Sequence, residues 1–142
     1  MAVQTIVSVA LTQPVADPAI DEGGNFTMGL QPTMTGMGGM SWDAVFQWDQ
    51  GLGDSEGNYA TIPSGAGGLY HSATNPIVNL TAALEQTLTI NSSTAGTYYI
   101  RAYAIDHNGG EATFSSASQV VTVSAGSGFQ PAWAGPNSRL GV

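Results

Sequence analysis

An all-β antiparallel sandwich is the fold class this sequence predicts, and three observations carry the prediction. Along Gly96–Ala104, Tyr98, Ile100, Ala102 and Ala104 alternate with Tyr99, Arg101 and Tyr103, the period of a strand with two distinct faces. Behind it, Asn108-Gly109-Gly110 supplies residues that accept the positive φ of a hairpin turn, and Gln119–Val123 supplies a β-branched run suited to the partner strand. Composition agrees: 19 glycines, abundant Thr, Ser and Val, and few Glu or Lys disfavour helix.

The elements follow in order. Val3, Val7, Val9 and Leu11 share one parity, which suits a first strand over about residues 3–11. A loop with Pro14 and Pro18 leads to a second strand at about 25–31. A Gly- and Met-rich connection, Thr33–Ser41, precedes a third at about 43–49. The long polar stretch Gln50–Pro76 has room for a short strand around Asn58–Ile62. The remaining strands are expected at about 84–91, 97–105 and 112–124. The one window of helical composition, Asn79–Gln86, is short enough to be a turn. Residues 125–142 contain two prolines and four glycines and do not continue a ladder, so the chain divides into a body, 1–124, and a C-terminal arm, 125–142.

A Gly-x-Tyr-x-aliphatic start to a strand, followed by a Gly-containing hairpin, resembles the F–G hairpin of immunoglobulin-like sandwiches. It is especially similar to bacterial fibronectin type III-like and PKD-like modules, as found in tailed-phage decoration proteins. The resemblance implies that Tyr98 is the tyrosine-corner residue and that Ile100 stands where antibody domains carry their second cysteine. It also implies that Leu88 is the core leucine of strand E and that Trp48, before Asp49, is the strand C tryptophan. Asp21-Glu22-Gly23 would lead into strand B. Such modules are scaffolds, so the resemblance carries a fold and little function.

Charge narrows the function classes. Ten acidic residues face two arginines, Arg101 and Arg139, with no lysine, for a net charge of −8. Phosphate neutralisation needs a basic face, so neither nucleic acid nor anionic membrane is an expected partner. The absence of cysteine removes disulfide and thiol chemistry. The N-terminus lacks the basic segment of a secretory signal, which gives the expectation of a complete product made in the cytoplasm and starting at its own methionine.

Candidate sites are few. Phe129, Trp133 and Leu140 are large apolar groups in an arm that a solvated linker seldom carries, and Arg139 offers a charge to an acidic partner. The arm docks on a neighbour, folds back on its own sandwich, or frays; docking is the functional reading. Met34, Met37 and Met40 are spaced to offer soft thioethers to Cu(I), but their Thr and Gly neighbours favour an adaptable contact loop. Asp49, Asp54 and Glu56 lie in a Gly-rich loop of the kind calcium favours, although glycines stand where EF-hand ligands belong. Asp106, Asn108 and Glu111 form a weaker version explained by turn chemistry. His71 and His107 are the only histidines, and adjacent Asp106 and His107 point to opposite faces, so they form no dyad.

These readings predict no cofactor and no enzyme activity. They predict a virion structural protein, a phage capsid decoration or cement protein whose partners are the major capsid protein or neighbouring copies. The alternative is an extracellular adhesion or carbohydrate-binding module with Trp42, Tyr59 and Tyr70 as sugar-stacking residues.

Overall fold

A computed structural model describes residues 5–35, 41–50, 58–65, 67–107, 110, 112–115 and 118–125. Among the described residues eleven strands form: β1 (Thr5–Gln13), β2 (Ala19–Asp21), β3 (Asn25–Thr35), β4 (Trp42–Gln50), β5 (Ala60–Thr61), β6 (Leu69–Tyr70), β7 (Ile77–Leu80), β8 (Gln86–Ser92), β9 (Gly96–Asp106), β10 (Ala112–Phe114) and β11 (Gln119–Ser124). The Asn79–Gln86 window is not helical; it holds the end of β7, an irregular connection and the first residue of β8.

Two sheets face each other. One has the order β1-β3-β8-β6 and the other β2-β11-β9-β4-β5, with β10 also on β9 and β7 also on β4. In immunoglobulin lettering this is A-B-E-D against A′-G-F-C-C′, a sandwich of immunoglobulin-like strand order. The first strand divides between the sheets: β1 pairs antiparallel with β3, whereas β2 pairs parallel with β11. β7 departs from the lettering, because the chain returns from β6 in the first sheet to β4 in the second.

The core follows the period of two. Phe26, Met28 and Leu30 of β3 and Leu88 and Ile90 of β8 face Trp42, Ala44 and Phe46 of β4. Tyr98, Ile100, Ala102 and Ala104 of β9, with Val121 and Val123 of β11, complete the facing layer. Each large side chain buried this way contributes roughly 1.5–3 kcal/mol. Tyr98 lies fully inside this layer, and its hydroxyl donates to the Thr94 carbonyl at 2.7 Å, a tyrosine corner. Trp48 leans on it with ring centroids 5.3 Å apart. Gly68 (φ 133°) passes so close to Trp48 that a Cβ there would fall 2.6 Å from Cη2. Only glycine meets both the space and the dihedral at that crossing.

The expected final strand over 112–124 is interrupted. From the Phe114↔Tyr103 pair to the Gln119↔Ile100 pair, β9 advances three residues (103 to 100) and its partner five (114 to 119). The register therefore shifts by two residues between these pairs. Ser115 still pairs with β9: its N–H donates to the Ala102 carbonyl at 2.8 Å, and its hydroxyl accepts the Ala102 N–H at 3.3 Å. A bridge between Val9 and Ser115 ties β1 to the second sheet at this point.

The strand directions give the sandwich two distinct ends. Ser41, Thr35 and His107 lie at one end; Gly24, Gly96 and Ser124 lie at the other. The 11 residues of β9 separate them by about 33 Å.

Removing the corner hydroxyl by Tyr98→Phe is expected to cost about 1 kcal/mol in urea denaturation. Burial, and then the nearby Glu22 carboxylate, push the Tyr98 phenol above its ordinary 10.0. The folded state therefore holds this proton more tightly than the unfolded state. Its stabilising contribution is full below the unfolded value and is lost as pH rises through the folded one. The urea midpoint of the parent protein falls above pH 10, and this component is absent in Tyr98→Phe.

Candidate functional site

The β4–β9 ladder continues one step past Asp106, where the His107 N–H donates to the Ser41 carbonyl at 2.9 Å. This carries the His107 ring between two side chains of the other strand. Its Nδ1 is 2.5 Å from Ser41 Oγ and its Nε2 is 2.9 Å from Asp43 Oδ1. Asp43 Oδ1 also accepts the Asn79 N–H at 3.0 Å. Asn79 has φ 59° and is the only non-glycine with a left-handed φ among the described residues. A carboxylate only accepts, so the ring proton sits on Nε2 and Nδ1 is left to accept from the Ser41 hydroxyl. The result is a hydrogen-bonded chain from hydroxyl to imidazole to carboxylate, on the partly exposed end of the sandwich.

The sequence reading sees only the Asp106–His107 neighbours, which indeed diverge. Asp106 turns inward and is buried, while His107 turns to Asp43. The signal for the true partner lies in the register: pairing the strands expected at 43–49 and 97–105 brings Asp43 opposite Ile105, two residues from His107.

The other predicted sites fall differently. Met34 belongs to β3 rather than to the loop, and it packs half-buried against the core because β3 runs on to Thr35. Met37 and Met40 lie outside the described residues, as do Phe129, Trp133, Arg139 and Leu140 of the arm. Asp49 is buried with neither carboxylate oxygen hydrogen-bonded; Asp54, Glu56, Asn108 and Glu111 lie outside the described residues. No cluster of three or more metal-ligating His, Asp or Glu side chains occurs among the described residues.

Two of the three proposed sugar-stacking aromatics are engaged. Trp42 is fully buried, with Nε1 donating to the Ala82 carbonyl at 3.2 Å. Tyr59 lies under the Arg101 guanidinium, 4.0 Å from its ring centre, with Phe114 4.4 Å from the same guanidinium. Arg101 Nε also donates to Gln47 Oε1 at 2.8 Å. Tyr70 is half-buried in β6.

A shallow cleft of about 430 Å³ opens where β5 gives way to β7, lined by Thr61, Pro63, Ser64, His71, Thr74 and Asn75. Its wall depends on Asn75, whose side chain stands in for a strand residue between those two short strands. Its Oδ1 accepts the Phe46 N–H at 3.1 Å, and its Nδ2 donates to the Phe46 carbonyl at 2.9 Å and the Ile62 carbonyl at 3.1 Å. The His71 ring is buried behind the cleft, with Nδ1 lacking a hydrogen-bond partner.

No protein-family model matches the chain, and no curated protein sequence does. Solved structures do, in fold. Domains 4 and 5 of the S-layer protein SbsC align at a TM-score of 0.47 and 14% identity over 88% of this chain and 55% of that one. An AA10 lytic polysaccharide monooxygenase from Streptomyces lividans aligns at 0.47 and 18% identity over 75% and 58%. A cohesin module from a Clostridium perfringens ATCC13124 family 33 glycoside hydrolase aligns at 0.37 and 12% identity over 86% and 99%. The chain thus spans little more than half the length of the first two. At these identities the likeness assigns no activity.

Asn75→Ala removes the partner of the Phe46 N–H and of the Ile62 carbonyl, and one of the two donors to the Phe46 carbonyl, which keeps the Ile62 N–H. The expected cost is about 2 kcal/mol, read from urea denaturation. A loss below about 0.5 kcal/mol, the level of an ordinary surface change, contradicts the strand-substitute role.

Proposed function

We propose that the chain is a virion structural protein, a capsid decoration or cement protein that docks on a preformed lattice and stabilises it by burial. The observation that carries this reading is the separation of its two contact elements. The chain leaves the last strand at Ser124, at one end of the sandwich, and the segment that follows holds Phe129, Trp133, Arg139 and Leu140. The connection holding Met37 and Met40 joins β3 to β4 at the opposite end, about 33 Å away. One copy with contacts at both ends bridges neighbours, which is what a cement protein does.

An arm of this length buries several hundred Å² of apolar surface on docking, worth several kcal/mol per copy at ~25 cal/mol/Å² before ordering costs. Repeated over a symmetric lattice, that stabilisation multiplies. The partners are the major capsid protein or further copies of the chain, and the place of action is the virion. The adhesion or carbohydrate-binding alternative is less supported, because Trp42 and Tyr59 are already engaged.

Size-exclusion chromatography with light scattering on the full chain and on one ending at Ser124 tests the reading. The full chain is expected to self-associate or to adhere to capsid lattices, while the shortened chain runs as a folded monomer. Identical monomers with no lattice binding contradict the arm mechanism.

A further inference from the structure

We propose that Ser41 is a nucleophile towards neutral esters of short acyl groups, with His107 as its general base and Asp43 holding the imidazole. The hydroxyl and the carboxylate come from the start of one strand and the ring from the end of its neighbour, and they meet in the order that activates a serine: Oγ to Nδ1 at 2.5 Å, and Nε2 to Oδ1 at 2.9 Å. Which ring nitrogen faces the serine is the reverse of the arrangement in the serine proteases, but proton transfer requires only that one nitrogen accept while the other is held. The His107 and Asp43 side chains are 36% and 22% exposed, so the group can be reached from solvent. The backbone also holds Asp43 in place: Asn79, at a left-handed φ of 59°, donates its N–H to Asp43 Oδ1 at 3.0 Å.

The surroundings define the substrate. The chain has no lysine, and Arg101 is held by Gln47, Tyr59 and Phe114, so nothing among the described residues recruits an anionic ester. The cleft at Thr61–Asn75 is not lined by Ser41, whose hydroxyl is half-buried on His107. Such a site fits a short acyl group, such as acetyl, carried on a neutral alcohol.

The reaction is hydrolysis in two balanced steps. Ser41 Oγ bonds to the ester carbonyl carbon as its proton passes to His107 Nδ1. The ester C–O bond breaks, and the alcohol leaves with that proton, giving acyl-Ser41. Water then gives a proton to Nδ1 while its oxygen adds to the acyl carbon. Ser41 Oγ departs and recovers the proton, releasing the carboxylic acid. Throughout, Nε2–H stays on Asp43, which stabilises the transient imidazolium. Such a site operates whether or not the chain assembles on a lattice.

The test uses the full chain with a fluorophosphonate probe, read by mass spectrometry, and p-nitrophenyl acetate as substrate. One adduct per chain is expected, on Ser41. Turnover should exceed that of Ser41→Ala by about 100-fold, the scale of general-base assistance. His107→Gln should fall to the Ser41→Ala level with an unchanged circular dichroism spectrum. The acetate ester should react faster than the octanoate. Absence of an adduct on Ser41, or turnover that survives Ser41→Ala, overturns the proposal even if His107→Gln fails to fold.

Discussion

The register between β4 and β9 is the constraint on which the rest of this molecule depends. Nine consecutive residues pair, from Trp42↔Asp106 to Gln50↔Tyr98. Side chains alternate between faces, so a slip of one residue would turn Trp42, Ala44 and Phe46 out of the core and Asp43 and Gln47 into it. β4 tolerates no such shift, since Val45 and Asp49 on its other face are buried as well. The same register lays Trp48 over Tyr98 and places Ser41 and Asp43 on either side of His107. Core and candidate site are thus two outcomes of one ladder.

Around this pair, the fold uses small devices where long strands would ordinarily serve. β5 and β7 cover the edge of β4 with only a few residues each, and the Asn75 amide fills the gap between them. Ser115, bonded to Ala102 of β9, also bridges to Val9 and so ties β1 to the second sheet. Exposed sheet edges invite unwanted pairing, and short strands, bulges and side-chain plugs all limit it.

What the sequence made legible is the part written in period two. The alternation of β9, the Tyr98 corner and the buried Ile100 needed only local pattern, and the start of β3 and the bounds of β4 and β8 lie near those expected. The short strands β2, β6 and β7 were not legible. Two to four residues give no measurable period, and backbone bonds to distant strands hold them rather than their own composition. The sequence reading places Met34 in the Gly- and Met-rich connection Thr33–Ser41, whereas pairing with β1 carries β3 on to Thr35. The Ser41–His107–Asp43 chain escaped notice because its members are 66 and 64 residues apart and meet only through register. Histidine beside Asp106 drew attention to the wrong aspartate.

Native-state hydrogen exchange tests the primacy of the β4–β9 ladder most directly. Amides of Ala44–Trp48 and Ile100–Ala104 are predicted to exchange only through global unfolding, with the free energy obtained from urea denaturation, while those of β5, β6 and β7 open locally at lower cost. If the β4 and β9 amides instead exchange through a local opening well below that energy while β3 and β8 stay protected, the ladder is not the element on which the structure depends.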